Sequence, residues 1–303
     1  MRAYPTLEEV WATARALGDA HTVGHSVQGR PLLAITLPGD GPLVTVTAGL
    51  HVLEWIGVLV ALEVLRRGPL PGARLQVLPV LNPDGYALTQ ARAGHGPVGD
   101  LRTNARGVDL NRNFPLPWSA RPSRLPFAGA REPGRATYRG DEPLSEPESR
   151  ALVDWLRADP PVASANLHSF MGTLIPARVW HPHDWRIYGQ LAHTFRAAQR
   201  AERRGWLGYR RLATPWFDVF TGELEDWQHH VLGCWAVCVE CFSVAASVRQ
   251  HRRAPTSFAR FNPADPTRVV RRDAPAVRAW LQAAATLERP PPRPKGQRAL
   301  PHW

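Results

Sequence analysis

Cysteine is scarce and crowded: three in 303 residues, at Cys234, Cys238 and Cys241. That excludes a secreted-type disulfide framework, which needs cysteines spaced along a short chain. Packing as small apolar side chains is the expected role, ahead of a metal site. Lysine is scarcer still. Lys295 stands alone, so arginine carries nearly all of the 37 cationic side chains and the formal net charge of +11. Arginine pairs recur (Arg66-Arg67, Arg203-Arg204, Arg210-Arg211, Arg252-Arg253, Arg271-Arg272) but are scattered and not interleaved with aromatics. A solvated, arginine-biased surface fits this better than a nucleic-acid or cell-wall-polymer interface, so no specific nucleic-acid partner is expected. A long hydrophobic run is also missing. The nearest, Val231 to Val248, is at the lower length limit for a membrane span and has Glu240 near its middle, where charge is costly in lipid. A buried strand is expected there, and no membrane association. The opening MRAYPTLEEV has no apolar stretch and no cleavage site, so no signal peptide is expected. With reduced thiols, this predicts a cytoplasmic protein.

What is present describes an ordinary globular chain, 44% hydrophobic and 21% charged. Thr6-Leu-Glu-Glu9 is a capping box opening a helix that Gly18 ends. Extended runs at Thr22–Val27 and Leu32–Leu37 flank the turn residues Gly29-Arg30-Pro31. Leu43–Thr47 (LVTVT) reads as a strand, Glu54–Arg67 as a helix and Leu75–Val80 as a buried strand. From Asn82 to about Asp141 the chain is rich in Gly, Pro, Asn and Arg, and a loop this long is usually functional. Ser145-Glu-Pro-Glu148 is a second capping box, for a helix to about Ala158. Val162–His168 and Trp235–Glu240 read as strands, Asp184–Arg200 and Asp273–Leu287 as helices. Mixed strands and helices with no internal repeat predict one α/β domain over residues 1–288, with helices on both faces of the sheet. Residues 289–303 form a Pro-rich tail expected to be disordered.

Three side chains suit a catalytic zinc, which takes imidazole and carboxylate ligands and keeps one open position. His51 and Glu54 follow the Leu43–Thr47 strand, Glu54 being expected in the first turn of the next helix. His168 ends a later strand. Strand ends are where open α/β sheets place their sites. In the long loop, Gly107-Val-Asp-Leu-Asn-Arg-Asn-Phe114 sets Asn111 beside Arg112, a pair that can grip a carboxylate or simply form a polar turn. Asp109 could orient the far nitrogen of a metal-bound histidine. Arg102 is either an oxyanion donor or one more surface arginine. Glu240, buried in an apolar strand, implies a paired or metal-adjacent role because an unpaired buried charge is costly. His181-Pro-His183 and His229-His230 lack carboxylates at a matching spacing, so surface roles are expected for them.

These residues resemble, in order and over most of the chain, the zinc carboxypeptidases of the pancreatic A and B type. His51, Glu54 and His168 match that family's zinc ligands. Asn111 and Arg112 match the pair that binds the substrate's terminal carboxylate, and Arg102 the arginine that polarises the scissile carbonyl. Glu240 lies at the family's spacing after Trp227 for the catalytic glutamate. Gly24-His-Ser-Val-Gln-Gly-Arg30, Asn82-Pro-Asp-Gly-Tyr86, Tyr138-Arg-Gly140, Ser145-Glu-Pro-Glu148 and Asp226-Trp227 are further landmarks. The resemblance implies a mixed twisted sheet, one Zn²⁺ per chain and hydrolysis of the C-terminal peptide bond of a peptide with a free C-terminus.

The chain also departs from the family. Leu53 stands where secreted members often carry arginine. Asp218, flanked by Phe217 and Phe220, falls where the family has its mobile tyrosine. The landmarks begin near residue 20, so no inhibitory prosegment is expected. Just before Trp227, the run Thr221-Gly-Glu-Leu-Glu-Asp226 puts Glu223, Glu225 and Asp226 on the wall for the substrate's terminal side chain. The resemblance then implies, through Glu225, a preference for C-terminal Lys or Arg, and through Glu223 an acceptance of both basic and apolar residues, unless the glutamates pair with an arginine such as Arg210 or Arg211. The rival readings are a murein-peptide carboxypeptidase or amidase, a zinc deacylase of the aspartoacylase kind, and a C-terminus-binding module with a silent site.

Overall fold

Strand alternation decides what each face of the sheet is made of. The strands are β1 (Asp19–His25), β2 (Pro31–Leu37), β3 (Leu43–Ala48), β4 (Arg74–Leu78), β5 (Ala163–Phe170), β6 (Thr173–Pro176), β7 (Arg210–Arg211) and β8 (Trp235–Ser243). The helices are α1 (Leu7–Leu17), α2 (Trp55–Arg66), α3 (Pro83–Ala91), α4 (Pro147–Ala158), α5 (Pro182–Glu202), α6 (Leu224–Leu232), α7 (Ser257–Phe261) and α8 (Thr267–Ala285). The structure is a computed structural model that describes residues 3–117, 122–125, 127–179, 181–202, 208–212, 220–243 and 250–290. The strands form one mixed sheet in the order β1-β2-β4-β3-β5-β8-β6-β7. Its centre, β4-β3-β5-β8, is parallel, and β1, β2 and β6 add antiparallel pairs.

Side chains two apart share a face. Val44, Val46 and Ala48 of β3, Ala163, Ala165 and Leu167 of β5, and Trp235, Val237 and Val239 of β8 join the larger apolar core with α1, α2, α5 and α8. The alternate positions, Thr45, Ser164, Asn166, His168, Cys238 and Glu240, belong to neither apolar cluster. A second core lies on their side of the sheet and contains Leu152, Val153 and Leu156 of α4 and Leu224 and Trp227 of α6. The central strands therefore carry one apolar face and one polar face, and α6 packs on the polar one.

Local chemistry explains most element boundaries. At α1 the capping box forms: Thr6 Oγ1 accepts the Glu9 N–H and the Thr6 N–H donates to Glu9. Two expectations need correction. Glu54 is the residue before α2 rather than part of its first turn. At α4 the expected box does not form. Glu146 takes the cap position without a side-chain bond, and Ser145 Oγ donates to Glu146 Oε1 instead.

The long segment after Asn82 is not all loop. Asn82 Oδ1 accepts the Gly85 N–H and Pro83 opens α3, since proline suits the first helical position. Helices α6 and α7 and strands β6 and β7 were not anticipated. Helix α8 begins before Asp273 and runs through Pro275. The landmarks act as ties. Asp84 accepts from Ser26 Oγ, the Gln28 N–H and Arg30 Nη1, fixing the early turn to α3. Asn113 Nδ2 donates to the Arg139 and Glu142 carbonyls and to Ser145 Oγ, folding the long loop on itself. The three cysteines are free and buried. No helix among the described residues is long and apolar enough to cross a membrane. Most of the tail, with Asp218 and Phe217, lies outside the described residues.

Candidate metal centre and substrate cleft

Three elements converge at the C-terminal ends of the parallel strands. The turn after β3 delivers His51 and Glu54, held by the Glu54 N–H donating to the His51 carbonyl at 3.1 Å. Asn262 braces that turn from outside: its amide donates to the Leu53 carbonyl and its Oδ1 accepts the Ile56 N–H. Strand β5 presents His168 two residues before its end, and β8 pairs Glu240 with His168 across the ladder. His51 Nδ1 lies 3.0 Å from Glu54 Oε1, His168 Nδ1 lies 3.0 Å from Glu54 Oε2, and the two Nδ1 atoms are 3.1 Å apart. Two ring nitrogens and a carboxylate aimed at one point form a donor set that a cation satisfies. Tetrahedral bonds of about 2.0–2.1 Å would put such donors roughly 3.3 Å apart. All three residues are buried.

Neighbouring groups fix the protonation states. His51 Nε2 donates to Asp109 Oδ1 at 2.9 Å, which leaves the Nδ1 lone pair facing the cluster. Asp109 Oδ2 accepts from Arg102 Nε at 2.8 Å and Oδ1 also accepts the Asn111 N–H. Burial pushes the Asp109 carboxyl up, but Arg102 and His51 outweigh it and hold it well below the usual range. Burial likewise opposes the Glu54 charge, and His51 and His168 together keep that carboxyl ionised. Burial dominates at His168 and keeps its ring neutral, the form that ligates metals. Glu240 is the exception among the acids. Burial, then the nearby Glu54 charge, push it up to about 7, although the Met171 N–H donates to its Oε2 at 3.3 Å.

The zinc carboxypeptidase family model matches residues 70–246, more than half of the chain and a span that contains His168 and Glu240. The chain belongs to the zinc carboxypeptidase family. Rat carboxypeptidase A2 is 29% identical over 247 residues, 69% of this chain and 55% of that protein. Rat carboxypeptidase Z is 25% identical over 287 residues, 77% of this chain and 42% of that protein. The chain thus spans about half the length of the curated relatives it matches. The fold is that of bovine thrombin-activatable fibrinolysis inhibitor, solved with a tick carboxypeptidase inhibitor. The TM-score is 0.75 at 18% identity, over 93% of this chain and 97% of that one. Murein-tripeptide amidase from Escherichia coli O157 shares it less closely, with a TM-score of 0.51 at 22% identity over 81% of this chain and 93% of that one. Membership of the zinc carboxypeptidases implies zinc, and His51, Glu54 and His168 fit it in donor type, spacing and tautomer.

In this member of the family the residues read as substrate contacts divide. Arg112 lies buried with its guanidinium 4.3 Å from the Phe220 ring centroid; Nη1 donates to the Asn111 carbonyl and lies 3.5 Å from Glu223 Oε1. Among the described residues its Nε has no hydrogen-bond partner. Asn111 Oδ1 accepts the Leu224 N–H, tying the loop to the start of α6. Glu223 precedes α6, and Glu225 accepts from Asn166 Nδ2 at 3.1 Å. The Asp226 carboxylate takes the backbone N–H, Nε and Nη2 of buried Arg178. The arginine beside Glu223 is Arg112, at 3.5 Å, and the Arg211 guanidinium lies over the Trp185 ring. Among the described residues, the other histidine pairs join no group of metal donors, and His229 and His230 bond to Tyr188 and to the Arg178 carbonyl.

Sequence reasoning missed Asn166, Gln228, Cys238 and Arg178. A signal for Asn166 existed: Ser164, Asn166 and His168 alternate along a strand, which puts them on one face. Arg178 and Gln228 carry no local signal, because their partners come from elements far away in sequence.

Proposed function

We propose that this chain is a zinc-dependent carboxypeptidase that releases the C-terminal residue of peptides and prefers a basic one. The observation that carries the reading is the convergence of the His51, Glu54 and His168 donors beside Glu240, whose carboxyl sits near neutrality. When bound, zinc supplies Lewis-acid chemistry, polarising a carbonyl and acidifying water. Glu240 takes the proton of the attacking water on its carboxylate and returns it to the leaving amine. A base poised near the working pH suits both transfers. Arg102, held by Asp109 through Nε, keeps its other N–H groups for the carbonyl oxygen as charge develops there. Arg112 and Asn111 hold the terminal carboxylate through the charge-assisted bonds a guanidinium and an amide can donate.

The basic preference rests on the acids of the wall. Burial pushes the Cys238 thiol well up, and the charges of Glu240, Glu225 and Glu223 push it further; Glu223 also faces Arg112, while Glu225 accepts from the uncharged amide of Asn166. A cationic side chain gains there what an apolar one loses in desolvating carboxylates. The test is a peptide library varied at its last residue and followed by mass spectrometry with and without chelator. Removal of single terminal residues is expected, Arg and Lys faster than Phe and Leu, abolished by chelator. Equal or faster release of Phe rejects the preference; no shortening of any peptide rejects the peptidase.

A further inference from the structure

Beneath the zinc ligands lies a buried chain of polar side chains, of which the reading above uses only Glu225, as part of the wall. Thr45 Oγ1 of β3 donates to Ser164 Oγ of β5 at 3.1 Å, and Gln228 Nε2 of α6 donates to the same hydroxyl at 2.9 Å. Asn166 Nδ2 donates to Gln228 Oε1 at 2.8 Å and to Glu225 Oε1 at 3.1 Å. Thr45, Ser164, Asn166 and Gln228 are each 0% exposed and Glu225 is 3% exposed. Buried polar groups survive in a core only when they are paired, and a connected set fixes the geometry of each member. The one placed by this set is the Glu225 carboxylate.

At the end of that chain a donor lacks a partner. His168 Nδ1 faces His51 and Glu54, and His168 Nε2 is buried with no hydrogen-bond partner among the described residues. A ring nitrogen of His168, a carboxylate oxygen of Glu225 and Cys238 Sγ lie within 4.8 Å of one another. Of the two neighbours, the carboxylate is the competent acceptor: a thiol accepts weakly, and Cys238 Sγ already lies 3.9 Å from Glu240 Oε1 as a donor. Asn166 and His168 lie on the same face of β5, so the amide that anchors Glu225 stands next to the ring on that side.

We infer that Glu225 accepts the Nε2–H of His168 and is thereby a positioning residue for that zinc ligand, as Asp109 is for His51. The inference rests on His168 ligating zinc, as proposed above. With Nδ1 committed to the metal, the proton of the neutral ring sits on Nε2, and the ring then needs an acceptor on its far side. The ring nitrogen and the Glu225 carboxylate oxygen already lie within 4.8 Å of each other. The two histidines would then each be held by one carboxylate, Asp109 from the long loop and Glu225 from α6. Glu225 thus serves the metal as well as the wall, and the two roles separate by substitution. Glu225→Gln keeps an accepting oxygen and loses the charge, whereas Glu225→Ala loses both.

The test is zinc affinity by competition with a chromogenic chelator in the wild type, E225Q and E225A, together with ¹H–¹⁵N spectra of the zinc-loaded, histidine-labelled proteins. E225A should bind zinc about 10–100-fold more weakly, the usual cost of removing a partner behind a metal ligand, and E225Q should stay close to the wild type. The His168 Nε2–H should be protected from exchange in the wild type, shift in E225Q and exchange freely in E225A. Wild-type zinc affinity in folded E225A, or an unmoved Nε2–H resonance in E225Q, would overturn the inference. Neither readout uses peptide turnover. Failure of the wild type to bind zinc would sink the proposed function, while wild-type affinity in E225A sinks only the role of Glu225.

Discussion

Glu240 differs from the acids around it in being held near neutrality. Burial and the Glu54 charge push it to about 7 in the protein without metal, while Glu54 itself stays ionised between two histidines. A divalent cation favours the carboxylate, so in the loaded enzyme the Glu240 pKa falls below that value. In the proposed role of base, Glu240 must be deprotonated, and activity should be lost as pH falls through its pKa. The kcat/KM profile should therefore show an acid limb below about pH 7; a flat profile from about pH 5 to about pH 8 contradicts this role. Glu240→Gln should keep its zinc and lose at least ~10²-fold in rate. A variant that turns over at the wild-type rate removes Glu240 from the mechanism. At this scale the sequence was informative where chemistry is rare. An acid in an apolar strand, or a His-x-x-Glu after a strand, has few reasons to exist. It was uninformative for Asp226 and Glu225, whose partners Arg178 and Asn166 are 48 and 59 positions away.

Elements were legible where their ends carry their own chemistry. The Thr6–Glu9 capping box forms as read, because both bonds close within four residues. Thr6→Ala should cost about 1 kcal/mol of stability, measured by chemical denaturation; no loss would mean the helix start is fixed by packing alone. Helix α3 escaped notice because Asn-Pro-Asp-Gly suits a turn as well as a helix start. Ser145 failed as a cap because Asn113 holds its hydroxyl through Nδ2 and also accepts the Glu146 N–H. Helix α6 is hard to read from its residues because Glu223, Glu225 and Asp226 also suit a pocket wall. Its acidic first turn and Gly233 in the left-handed conformation at its end were nonetheless present as start and stop signals.

Across the whole molecule, the division of the central strands into an apolar and a polar face explains how one sheet serves both stability and chemistry. The face toward α2 and α8 supplies the larger core, and the face toward α6 holds the polar chain and the metal donors. The class of fold was legible from the succession of elements; the order of strands was not, since pairing across the sheet leaves no mark in local pattern. A zinc ion bound only by the folded state adds stability by mass action, about 2.7 kcal/mol at a hundredfold excess over its Kd. Stripping zinc with chelator should lower Tm, and an unchanged Tm would place no metal in the fold. The most direct measurement is zinc content by elemental analysis of the wild type and His168→Ala, with folding checked by circular dichroism. One zinc per chain in the wild type and none retained by the folded variant is the result predicted. Full zinc in His168→Ala would contradict the site.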